Sequence, residues 1–309
     1  MKKIAYLISA ISAGLFSTAA NADISVSGSG NFAYTDAGGN TSSIMGGGIS
    51  FSMSTTTDAG VTVSASSAIS NDNDSAGSSS AVTGVTALTF GFANGSIPVG
   101  GDVGVADGKG KVGELAHYND NQTGITNATG LGDDEGDGIA LSTTVGDMAI
   151  SLQYVWDGAG GGDVDGGATT SQGASLSMPV AGGTLTIASA SDDVGGTNMT
   201  ETAVAYSMAM GDGTLSLGFT GTDGDTAAKE GESVSAAYST TMGGVAIGIG
   251  YTGHDVNSTT AQQTDITLSS ALGGGVSIFA EYSNVSGTVA AETAALSNNT
   301  VAVGTSVAF

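Results

Sequence analysis

Apolar residues recur at every second position along most of this chain. Met148, Ile150, Leu152, Tyr154 and Trp156 form the cleanest run. Ile24, Val26, Phe32 and Tyr34 share one parity, as do Val245, Ile247, Ile249 and Tyr251, and again Val276, Ile278, Ala280 and Tyr282. The positions between them are mostly Ser, Thr, Ala and Gly. Successive side chains of a strand point to opposite faces, so this period of two marks strands with one apolar and one small, weakly polar face. The pattern predicts strands at 23–34, 46–55, 60–70, 81–92, 96–101, 138–145, 147–156, 171–179, 184–191, 199–210, 214–222, 231–241, 244–253, 262–271, 275–283 and 299–309, sixteen in all. "PVAGGT", "AMGDGT", "TMGGV" and "ALGGGV" read as tight hairpin turns. Such turns alternate with longer polar links at 35–45, 71–80, 102–137, 157–170, 192–198, 223–230, 254–261 and 284–298.

The second face decides the fold class. A water-soluble antiparallel sheet keeps its charges on the face turned away from the core. Here that face is nearly uncharged, and the charges sit in the long links. Aromatic residues collect near strand ends: Tyr34, Trp156, Phe219, Tyr251 and Tyr282 towards the long links, Phe90, Phe92, Tyr206, Tyr238 and Phe309 towards the short turns. Two aromatic girdles around an apolar band suit a bilayer. Sixteen strands in an open sheet would also leave two exposed edges, which closure removes. The chain therefore reads as all-β: a transmembrane antiparallel β-barrel with short periplasmic turns and long extracellular loops.

The segment "MKKIAYLISAISAGLFSTAANA" stands outside this pattern. Lys2 and Lys3 precede an apolar run from Ile4 to about Phe16, and Ala20-Asn21-Ala22 closes it. This is the layout of a secretory signal peptide cut after Ala22. The run is short for a spanning helix, which needs ~20 apolar residues. Residues 1–22 are thus a leader and 23–309 a single barrel domain. Without the leader the chain has three basic side chains, Lys109, Lys111 and Lys229, against 29 acids, a formal charge of −26. There is no arginine and no cysteine. Nucleic acid is excluded as a partner, since phosphate binding needs basic groups. Cations are attracted.

The leader, the first strand "DISVSGSGNFAYTD", the segment "LTFGFANGSIPVGGDVG" at 88–104, the long third link, the hairpin series and the terminal Phe309 together resemble a bacterial general-diffusion porin, most like those of alphaproteobacteria. The resemblance spans the exported chain. It implies a homotrimer in the outer membrane of a Gram-negative bacterium, in contact with lipid and lipopolysaccharide. It implies that Phe309 is read by the outer-membrane assembly machinery. It also implies that residues 102–137 fold inward as a constriction loop. In such porins acidic loop residues face a cluster of arginines. This chain has none, and Asn31 stands where the first strand often carries one, so an acidic eyelet without its basic partner is expected.

Rings of carboxylates select cations in pores. The candidate constriction comprises Asp102, Asp107, Glu114, Asp120, Asp133, Asp134, Glu135 and Asp137, with Glu281 as the clearest acid of the pore wall. Lys109 and Lys111 either form a residual basic side or pair locally with Asp107 and Glu114. "DDEGDG" at 133–138 places oxygens at Asp133, Glu135 and Asp137, so calcium is a candidate ligand there. It is not an EF-hand, because the twelfth position is Thr144 rather than an acid; "DVDGG" at 163–167 fails likewise at Ala174. His254-Asp255 is similar to the histidine–acid pairs of barrel hydrolases, but no further catalytic group accompanies it. The expected activity is passive, cation-preferring diffusion of small hydrophilic solutes and ions. It needs no cofactor and no turnover chemistry. The alternative is an exported acidic cell-surface structural or adhesin-like β-protein that binds calcium.

Overall fold

The computed structural model describes residues 23–37, 39–74, 77–85, 87–101, 112, 115, 137–157, 168–194, 197–225, 230–256, 259–288 and 295–309. Among them there is no helix, and seventeen strands form one sheet. These are β1 (Asp23–Ala37), β2 (Asn40–Thr56), β3 (Thr62–Asp74), β4 (Gly77–Thr83), β5 (Ala87–Phe92), β6 (Gly95–Gly100), β7 (Asp137–Val145), β8 (Met148–Asp157) and β9 (Ala168–Val180). They continue with β10 (Gly183–Val194), β11 (Thr197–Met210), β12 (Gly213–Gly224), β13 (Gly231–Met242), β14 (Val245–Val256), β15 (Thr259–Gly273), β16 (Val276–Thr288) and β17 (Ala295–Ala308).

Every pairing is antiparallel, and β17 returns to pair with β1 from Ser29↔Ala308 to Ala37↔Thr300, which closes the sheet. β3 pairs with β4 through Ala68↔Thr83 to Asp74↔Gly77, and with β5 through Thr62↔Gly91 to Ser64↔Thr89. β4 and β5 are therefore successive pieces of one stave, and the barrel has sixteen staves. The sequence pattern reads residues 81–92 as one uninterrupted strand; the break falls beside Gly84, a residue that weakens a strand and has no side chain to pack.

The strands also run further than the apolar alternation. β1 ends at Ala37 and β2 begins at Asn40, where the pattern gives a link from 35 to 45. The polar stretch 71–80 likewise pairs as a ladder, Asn71↔Ser80 and Asp72↔Ser79. Ladder hydrogen bonds need no apolar side chain. These upper ladders lie past the aromatic residues, where neither face requires hydrophobicity.

Burial is inverted relative to a soluble protein. Ile24, Val26, Phe32, Leu152, Leu217, Ile249, Ile266 and Val303 are exposed, all on the outer face. Gln263, Glu201, Asp265, Thr220 and Thr252, on the inner face, are almost wholly buried. Soluble proteins rarely expose apolar surface this extensive. A barrel in lipid must, because its outer face meets hydrocarbon and every backbone polar group is paired within the sheet.

The predicted girdle residues lie on the outer face. Tyr34, Trp156, Phe219, Tyr251 and Tyr282 are exposed towards the long links. At the short-turn side, Tyr206 lies over Gly183 and donates its hydroxyl to the Val180 carbonyl at 3.1 Å. Tyr238 repeats the arrangement over Gly213, donating to Met210 O at 3.2 Å. Each phenol covers backbone that glycine leaves bare and satisfies a turn carbonyl. Phe90 and Phe92 belong to the same outward parity of β5, and Phe92 is exposed. Phe309 closes the seam: its N–H donates to Gly28 O at 3.0 Å, Gly28 N–H donates back at 2.7 Å, and its ring lies over Gly28.

Candidate pore lining and constriction

Alternation fixes what lines the lumen. From Ala33 the register carries the inner face through Gly304 on β17 to Phe279 on β16. The same face includes Glu281, Ser283 and Val285 on β16, Gln263 and Asp265 on β15, Thr252 and His254 on β14, Ser233 and Ser235 on β13, and Glu201 on β11. Most of these side chains are hydroxyls, amides or carboxylates. On the opposite wall Gln153 Nε2 donates to Ser171 Oγ at 3.3 Å. Elsewhere the inner face narrows to small residues, with Ala188, Ala190 and Ala203 buried together.

Among the described residues, three buried carboxylates stand on this face. Glu281 lies opposite Thr267 and is 8 % exposed. Asp265 and Glu201 join it, so the wall is more acidic than the sequence reading allows. Asp265 opposes Ser283, and thus sits diagonally beside Glu281 on the neighbouring strand. The signal for both was present. In "QQTDITL" Asp265 has the parity opposite to Ile266 and Leu268, and in "TETAVAY" Glu201 has the parity opposite to Val204 and Tyr206.

Two residues of the long third link are described, and both lie against the inner wall. Val112 N–H donates to Ser235 Oγ at 3.2 Å, and Leu115 N–H donates to Asp265 Oδ2 at 2.8 Å. The Asp265 carboxylate also accepts from Gln263 Nε2, at 3.1 Å through Oδ1 and 2.9 Å through Oδ2. Leu115 passes close over Gly248, where a Cβ would stand 3.1 Å from Leu115 Cδ1. Towards the short turns from Leu115 lies a space of about 670 Å³ bordered by Thr214, Ser239, Thr267 and Ser269. Its lining is hydroxyl-rich, which suits water and hydrophilic solutes.

Of the predicted constriction acids, Asp102, Asp107, Glu114, Asp120, Asp133, Asp134 and Glu135 lie outside the described residues, as do Lys109, Lys111 and Lys229. Asp137 is described; it begins β7 and is exposed. Among the described residues no three His, Asp or Glu side chains converge on a metal-sized point. His254 faces inward opposite Ser233 and Ala261, whereas Asp255 points to the outer face. Adjacent strand residues cannot share a face, so the histidine–acid pair suggested by the sequence is not assembled. In its place the wall carries positions suited to lining an aqueous channel, which barrels of sixteen or more strands leave open.

No curated protein has a matching sequence. A variant of the porin of Rhodobacter blastica has the same fold, with a TM-score of 0.68 at 19% identity over 93% of this chain and 100% of that one. The anion-selective porin from Comamonas acidovorans aligns with a TM-score of 0.68 at 16% identity over 94% of this chain and 100% of that one. A porin refined at 1.8 Å aligns with a TM-score of 0.65 at 15% identity over 93% and 100% of the two chains. The model of the Gram-negative porin family matches residues 9–290. The chain belongs to that family, and the barrel is an outer-membrane diffusion porin.

Proposed function

We propose that this porin passes small hydrophilic solutes and cations in preference to anions, with residues 102–137 narrowing its pore. One observation carries the reading: Glu201 and Glu281 place carboxylates on the inner wall of the barrel. The sequence adds weight, since arginine is absent throughout. A porin described as anion-selective has the same fold, so the barrel alone leaves the sign of selectivity open and the charges decide it. Carboxylates facing a narrow aqueous path within low-dielectric walls concentrate cations. The inward seats of Val112 and Leu115 support the narrowing role of the link.

The finer parts of this reading follow the family. The working unit is a homotrimer; Gly30 and Gly47 pair on the outer face, beside the outward parity of Ala65 and Ser67 on β3, and such small residues allow close approach of a second barrel. Residues 1–22 are removed on export. Phe309 serves the assembly machinery, and lipopolysaccharide contacts the outer rim. Calcium near Asp133, Glu135 and Asp137 acts as an exchangeable counter-ion, not a required cofactor. The catalytic alternative loses its His254–Asp255 pair, whose members face opposite sides of the sheet, and the apolar outer face opposes a water-soluble surface protein.

The test is conductance of purified protein in a planar bilayer across a KCl gradient. Openings in groups of three with a reversal potential on the cation side are expected. A reversal potential on the anion side, or no current from protein that migrates as folded barrel before heating, overturns the reading.

A further inference from the structure

We infer that Asp265 is a positioning residue that docks Leu115 on the far wall of the barrel and so sets the pore's free cross-section, rather than acting as a member of its charge filter. The inference rests on the proposed pore function and assigns a specific part of it. The third link leaves β6, the fifth stave, while β15 is the fourteenth of sixteen. The two staves are seven apart by the shorter way round, close to the full width of the lumen. A hydrogen bond between Leu115 N–H and Asp265 therefore ties the link across the pore and not to a neighbouring strand.

The dock has three parts. Asp265 is 0% exposed, and its carboxylate oxygens accept from Leu115 N–H and Gln263 Nε2. A carboxylate so engaged and so buried offers little to a passing ion, but a charge-assisted bond to a backbone N–H fixes position well. Gly248 supplies the seat: any side chain there meets Leu115 Cδ1 at 3.1 Å and Thr267 Oγ1 at 2.6 Å. Its φ is not in the left-handed region, so absence of a side chain is what the site uses. Ser235, two strands away on β13, takes the N–H of Val112.

Asp265→Asn separates position from charge. Its Oδ1 can still accept from Leu115 N–H. Its Nδ2 can donate to Gln263 Oε1 once that amide turns over, and this oxygen has no hydrogen-bond partner among the described residues. Asp265→Ala removes both roles. Gly248→Val fills the seat without changing any charge, and valine suits a strand.

Trypsin reads the dock directly. The Lys111–Val112 bond contains the nitrogen held by Ser235, and the chain beyond the leader has two other tryptic sites, after Lys109 and Lys229. Each variant is first shown to be a folded barrel by its heat-modifiable mobility. Folded wild-type protein is expected to resist cutting at Lys111–Val112. Asp265→Ala and Gly248→Val are expected to be cut there and to show single-channel conductance about twofold higher. Asp265→Asn is expected to restore protection and conductance, with a reversal potential no different from that of the wild type. If folded Asp265→Ala and Gly248→Val resist trypsin and conduct like the wild type, the dock is wrong. If Asp265→Asn raises conductance or shifts selectivity as much as Asp265→Ala, the charge matters and the positioning role is wrong. Should the wild type carry no cation-preferring current, the proposed function fails while the trypsin result still decides the dock.

Discussion

Ala181 holds φ at 51°, the one non-glycine residue with positive φ among those described. It shares a two-residue turn with Gly182, whose φ is 82°, so both central residues are left-handed as a type I′ hairpin requires. Left-handed backbone costs an alanine about 1–2 kcal/mol, because Cβ approaches the carbonyl oxygen. The turn is held in spite of this, since Tyr206 donates to both Val180 O and Ala181 O. Ala181→Asn should therefore stabilise the barrel by about 1 kcal/mol, since asparagine tolerates this conformation. The urea midpoint of the protein folded into vesicles checks it, and an unchanged or lower midpoint speaks against strain at this turn. Sequence legibility at this scale is uneven. The aromatic at the C-terminus is visible in the text, but its seat over Gly28 depends on the closing register between β1 and β17, which no local pattern encodes.

At the scale of the element, parity does most of the work, and adjacent residues meet opposite solvents. Leu217 on β12 points outward and is 46% exposed, in register with Tyr206 on β11 and two residues before Phe219. Ser216, one residue earlier, points inward and donates to Ser207 Oγ at 3.2 Å. Leu217→Lys places a charge in hydrocarbon at a cost of about 2–4 kcal/mol if near the bilayer midplane. Ser216→Lys places the same charge in water. The first variant should lose folding yield in vesicles, and the second should fold while its reversal potential moves towards anions. Equal folding of the two would mean that the outer face is not the lipid face. This inside–outside assignment was legible in the sequence, where the parity of Asp265 and Glu201 against their apolar neighbours marks both as inward-facing. The strand ends were not legible. In "SNDND" and "GSSSA" both faces of the β3–β4 ladder are polar, so the apolar signal stops while pairing continues. The aromatic residues mark why: β12 runs on for five residues beyond Phe219 and β14 for five beyond Tyr251. At ~3.3 Å per residue the barrel wall projects past its outer girdle, where no lipid demands an apolar face.

Across the whole molecule the dominant fact is the charge: 29 acidic residues with five basic ones, all lysines. The wall carboxylates are shielded, since Glu201 is 2% and Glu281 8% exposed. The proposed cation preference must then come mainly from the summed field and not from direct contact with a passing ion. Such a field reaches about 30 Å at 0.01 M salt but only about 3 Å at 1 M. At low salt it spans the pore, and at high salt it scarcely leaves the wall. The cation-to-anion permeability ratio should accordingly fall several-fold as KCl rises over that range, while conductance grows less than in proportion to concentration. Reversal potentials at a fixed concentration ratio but rising absolute concentration measure this directly. A ratio that stays constant would instead place selectivity in close, desolvated contact between ion and carboxylate, because only interactions shorter than the screening length escape the salt. In that case the acids of the 102–137 link, and not the wall, would be the groups to neutralise first.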